Sequence, residues 1–142
     1  MSKDTGLERF IDAQKHDYQT ALAEIKNGRK QSHWMWFIFP QIQGLGVSHT
    51  SGFYAIKDLH EAEEFVKHPI LGARLIEICN ELLKLKSNDA YEIFGSPDDL
   101  KLKSSMTLFA SLNHPNALFR SVLEKFYDGA KDNKTLRIIK LA

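Results

Sequence analysis

Both tryptophans of the chain fall in one run, Arg29-Lys30-Gln31-Ser32-His33-Trp34-Met35-Trp36-Phe37-Ile38-Phe39-Pro40-Gln41, which opens with two cations. Indole faces stack on planar rings or cover cations, and guanidinium and ammonium groups pair with phosphate oxygens. His33 adds an imidazole of the kind used for acid–base work. Such a set suits an aromatic-walled pocket for an anion or a nucleotide. It suits a core equally well: Trp34, Trp36, Phe37 and Phe39 would fill an interior, where large aromatics dominate, with Arg29 and Lys30 left in water.

A second polar and cationic cluster follows much later, at Lys101, Lys103, Ser104, Ser105 and Thr107. A helix restarting at Ser104 would offer first-turn amides to a phosphate. The alternative is a cap flanked by surface lysines. Between the clusters, Gly44-Leu45-Gly46-Val47-Ser48 has the permissive backbone of an anion-cradling loop. It lacks the lysine and spacing of a phosphate-binding loop, so an ordinary turn is the simpler reading. If the clusters meet, a cleft forms from Arg29, Lys30, His33, Trp34, Trp36, Gln41, Ser48, Lys101, Lys103, Ser104 and Ser105. In an enzyme, His33 would be the acid–base group, partnered by Asp98 or Asp99.

Other chemistries find little support. His60 and Glu64 share a helix face at i,i+4, but no second ligand pair has matching spacing, so no metal is expected. Cys79, the one cysteine, lies in an apolar stripe and reads as an inert buried thiol. There is no Gly-x-Ser-x-Gly elbow, and no cofactor is implied.

The 142 residues fit one domain, residues 1–142, and the mix of 43% hydrophobic and 26% charged residues is ordinary for a globular protein. A net charge of +1 sets up no global field for nucleic acid, so an anion site must be local. A polar start and the lack of a long apolar run predict a cytoplasmic protein without a signal peptide or membrane span.

Helices must position these residues. Leu7, Phe10, Ile11, Gln14, Tyr18, Ala21, Leu22 and Ile25 share one face of a first helix, with Asp4 or Thr5 as cap and Gly28 as stop. The run from Trp34 to Phe39 predicts a short buried helix ended by Pro40. Asp58-Leu59-His60-Glu61 reads as a capping box for a helix to Lys67. His68-Pro69 then gives way to a helix from Ile70 to about Lys86. A short helical piece from Asn88 or Asp89 stops at Gly95. Ser96-Pro97-Asp98-Asp99 starts another helix, which the period-two pattern of Leu100-Lys101-Leu102-Lys103 should interrupt before Ser104. Further helices open at Pro115 and Asp132. No strand hairpin is visible, so the expected fold is all-α, with about seven or eight helices. His68-Pro69-Ile70-Leu71-Gly72-Ala73-Arg74 and His114-Pro115-Asn116-Ala117-Leu118-Phe119-Arg120 align at a shift of 46 residues, the echo expected of two equivalent α-hairpins.

Several of these motifs also carry a resemblance. Arg9-Phe10, Gly28-Arg29-Lys30, Ser32-His33-Trp34-Met35-Trp36-Phe37-Ile38-Phe39-Pro40-Gln41, Gly44-Leu45-Gly46, His68-Pro69, Ile93-Phe94-Gly95 and Pro97-Asp98-Asp99-Leu100-Lys101-Leu102 with Ser104-Ser105-Met106-Thr107-Leu108-Phe109 resemble the bacterial domain-of-unknown-function family 1810. Some members are labelled calpastatin-like, yet nothing here looks like the disordered repeats of calpastatin. The resemblance implies an all-helical domain and transfers no catalytic residue. The leading functional expectation is a protein that binds a small anionic, nucleotide-like ligand in an aromatic and basic cleft. One rival is a helical protein-interaction module. Another is a hydrolase or transferase of ADP-ribose-type compounds.

Overall fold

The computed structural model describes residues 6–46 and 48–141. Among them are nine helices and no strand, with one isolated parallel bridge between Ile42 and Ile56. Asp4 and Thr5, expected to cap the first helix, and Val47 lie outside the described residues.

Helix α1 (Glu8–Lys26) buries Phe10, Gln14, Tyr18, Ala21, Leu22 and Ile25 along the expected stripe. It ends as its sequence predicts. Gly28 takes φ +79°, its N–H reaches the Ile25 carbonyl at 2.8 Å, and the Arg29 N–H reaches the Glu24 carbonyl at 3.0 Å. These two bonds satisfy carbonyls that a bare helix end would leave open. The aromatic run forms α2 (Met35–Ile38). The next helix, α3 (His49–Phe53), was not expected, since five residues are too few for a periodic signal. Its start is local chemistry: the Ser48 hydroxyl accepts the Ser51 N–H at 3.0 Å.

At α4 (Leu59–Lys67) the Asp58 carboxylate accepts the Glu61 N–H at 2.9 Å. Glu61 does not close the expected reciprocal box; it takes the Lys57 N–H at 2.8 Å and pairs with Arg9 at 3.1 Å. Helix α5 (Leu71–Lys84) is capped by the side chain of His68, whose Nδ1 accepts the N–H groups of Ile70 and Leu71. After α6 (Ala90–Phe94) comes α7 (Asp98–Ala110), preceded by Pro97 with no side-chain cap from Ser96.

The expected break before Ser104 does not occur. Helix α7 is continuous and lies against α4, α6, α8 and α9, burying Leu102 and every residue from Ser104 to Phe109. The stretch from Ser104 to Phe109 is buried all round and needs no single apolar stripe, while at the start of the helix Leu102 faces inward and Leu100 stays exposed. Its hydroxyls fold back on the backbone: Ser104 Oγ on the Leu100 carbonyl at 3.2 Å, and Thr107 Oγ1 on that of Lys103 at 2.8 Å. The amides near Ser104 are therefore mid-helix groups, and no first-turn donors exist there for a phosphate.

Asn116 caps α8 (Ala117–Tyr127), and Asp132 caps α9 (Asn133–Leu141), accepting the Thr135 N–H at 3.1 Å. The 46-residue echo matches the starts of α5 and α8, at Leu71 and Ala117. The joints differ, since His68 caps while His114 takes φ +55° and Asn116 does the capping.

Candidate ligand-binding cleft

A cleft of about 610 Å³ opens where the loop after α2, helix α3, the start of α7 and the α8–α9 joint come together. That volume suits a small molecule. Its lining includes Trp36, Gln41, Ser48, Lys101 and Ser104, five of the eleven residues singled out from the sequence, and they come from both clusters.

The remaining six stand elsewhere. Trp34 is 1% exposed and belongs to the core, with Phe39 and Phe94 beside its ring. Its indole N–H donates to Glu24 at 2.9 Å. Arg29 and His33 are exposed but do not line the cleft. Ser105 is fully buried, and its hydroxyl has no hydrogen-bond partner among the described residues. Lys103 points over the Tyr127 ring, 5.9 Å from its centre. Lys30 runs behind the cleft: its ammonium pairs with Asp98 at 2.9 Å, donates to the Ser32 carbonyl and lies 5.0 Å from the Trp34 ring. Neither carboxylate expected to partner His33 does so. Asp98 is held by two lysines, and Asp99 lends its carbonyl to the Tyr127 hydroxyl.

Within the cleft, Lys101 has a defined seat. Its ammonium lies 3.9 Å from the centre of the Trp36 ring and 3.2 Å from Asp98. A cation over an indole gains electrostatic attraction and keeps its remaining N–H donors free for an incoming acceptor. Lys134 adds a second, exposed ammonium. Asp132 is the carboxylate in the lining, but it is committed to the Ser104 hydroxyl at 3.0 Å, the Thr135 N–H and the Thr135 hydroxyl. Ser104 thus supports the wall through Asp132. The glycine loop closes on protein: a Cβ on Gly46 would lie 2.6 Å from the Ser51 side chain, and one on Gly44, at φ +104°, would meet Ile138 at 3.4 Å. Tyr54, Leu100 and Lys134 were not anticipated. The adjacent aromatics Phe53-Tyr54 were a usable signal; Lys134 had none.

Among the described residues no group of three or more His, Cys, Asp or Glu side chains could hold a metal ion. No described helix is long and apolar enough to cross a membrane. Burial pushes the Cys79 thiol far above its ordinary value, beside Met106 in the core.

The profile of a family of proteins of unknown function, DUF1810, matches residues 4–139. The chain belongs to this family. The chain is similar in structure to the conserved hypothetical protein Rv1873 from Mycobacterium tuberculosis, known from a crystal structure. The two are 43% identical, the match covers 96% of this chain and 97% of that one, and the TM-score is 0.93. No curated protein matches this DUF1810 sequence.

Proposed function

We propose that this protein binds a small anionic ligand, nucleotide-like in size, in the cleft between the loop after α2 and the start of α7. The observation that carries the reading is the meeting of Trp36, Gln41 and Ser48 with Lys101 and Lys134 around one cavity, although they are far apart in sequence. Lys101 and Lys134 would neutralise the anion, Ser48 and Gln41 would supply hydrogen bonds, and Tyr54 and Leu100 would border the ligand's less polar part. Asp132 holds the wall together through one carboxylate oxygen, which accepts from the Ser104 hydroxyl, the Thr135 N–H and the Thr135 hydroxyl.

Titration with inorganic phosphate, adenosine monophosphate and ADP-ribose tests it, read by tryptophan fluorescence and thermal shift. Only Trp36 borders the cleft, so a fluorescence response should vanish in Trp36→Phe and persist in Trp34→Phe. Lys101→Ala should abolish the thermal shift with little change in the ligand-free melting temperature. Arg29→Ala should leave both unchanged. Silence across the panel would favour an interaction surface instead, for which the exposed Leu100 at the cleft, 57% accessible, is the supporting feature.

A further inference from the structure

We infer that Lys30, which does not border the cleft, sets the charge that Lys101 presents to an anion by competing with it for Asp98. This rests on the reading of the cleft as an anion site. The two ammonium groups share one carboxylate, Lys30 on one oxygen at 2.9 Å and Lys101 on the other at 3.2 Å. One carboxylate neutralises one cation, so the trio keeps a surplus positive charge. Burial decides where that surplus faces. The Lys30 side chain is 8% exposed and is pinned by the Ser32 carbonyl and the Trp34 face. Lys101 is more open, at 22%, and borders the cavity. An inner cation that cannot leave its carboxylate gives the outer one only a partial counter-charge. Without Lys30, Asp98 would pair with Lys101 alone and cancel the field that draws an anion. Lys30 is therefore a positioning residue that acts through Asp98, and its fixed place explains a cation in the aromatic run that no ligand could reach.

Calorimetric titration with adenosine monophosphate and with adenosine separates charge from shape. Lys30→Met keeps the aliphatic stem against Trp34 and removes the charge. It should weaken adenosine monophosphate roughly threefold to tenfold, the effect of one charge a few ångströms further away at high effective dielectric. Adenosine should be unaffected, and Lys30→Arg should restore the wild-type preference. Asp98→Asn should act in the opposite direction, tightening adenosine monophosphate without changing adenosine, and it keeps the test open if Lys30→Met fails to fold. The inference is overturned if folded Lys30→Met leaves both affinities unchanged, or weakens both ligands equally, while Lys101→Met still loses the phosphate-dependent part. If the wild-type protein does not favour adenosine monophosphate over adenosine, the anion site itself falls, and this inference with it.

Discussion

Four donors converge on the Glu24 carboxylate: the amides of Gln31 and Ser32 at 2.7 and 2.9 Å, the Ser32 hydroxyl, and the Trp34 indole N–H at 2.9 Å. They fold the segment after α1 back onto that helix and aim Trp34 inward, which leaves Trp36, two residues later, to border the cleft. Burial alone would raise the Glu24 carboxyl, but these hydrogen bonds outweigh it and hold the group down at about 2, against an ordinary 4.5. A folded-state value below the unfolded one means that Glu24 adds stability above about pH 4.5. That contribution is lost as pH falls from 4.5 toward 2. Glu24→Gln should lower the melting temperature at neutral pH and lose less than wild type between neutrality and about pH 3. Melts across that range check this, and equal acid sensitivity in the two proteins would remove Glu24 from the account. Composition and spacing mark Ser32 and Trp34 as conspicuous but are silent on Glu24, an ordinary exposed-face residue of α1 by periodicity. Its role depends on a turn that brings residues 31 to 34 back beside it, and no local pattern encodes that return.

Helix starts and stops are legible where local chemistry closes them, a side-chain carboxylate at Asp58, Asp89 and Asp132 and the left-handed backbone at Gly28. They were obscure where tertiary enclosure decides. Helix α7 continues through the 100–103 pattern because Leu102 and the stretch after it pack against neighbouring helices, and α3 exists because Ser48 and Ser51 satisfy each other within a few residues. The α4–α5 joint makes a sharper demand. A Cβ on Gly72 would lie 2.0 Å from the Val66 carbonyl oxygen, a backbone atom that cannot swing aside. Close approach, rather than an unusual backbone angle, calls for glycine here. Gly72→Ala should cost about 1 to 3 kcal/mol by forcing α4 and α5 apart. Urea unfolding should show this as a lower midpoint with an unchanged slope. A variant as stable as wild type would mean that the joint relaxes freely, and α4 would not be fixed by this contact.

The cleft unites distant parts of the chain. Loop 41–46 and α3 come from its first half, the start of α7 from its second, and Asp132 and Lys134 from near its end. A side chain at Gly44 would meet Ile138 of α9, so the loop runs close to the last helix. The individual residues of such a site can be named from composition, but their meeting follows from the packing of α7 at the centre, which sequence periodicity did not describe. A ligand held by all three walls should stabilise them together. With adenosine monophosphate at about a hundred times its dissociation constant, global unfolding should become harder by about 2.7 kcal/mol. Hydrogen exchange should then slow in two separate segments at once, residues 41–46 with α3 and the start of α9 around Thr135. Core amides of α5 and α8, which exchange through global unfolding, should gain the full amount. Protection confined to one wall would indicate a ligand resting on a single surface. In that case Lys101 and Lys134 would not act on the same anion, and the cleft would be a groove between independently moving parts.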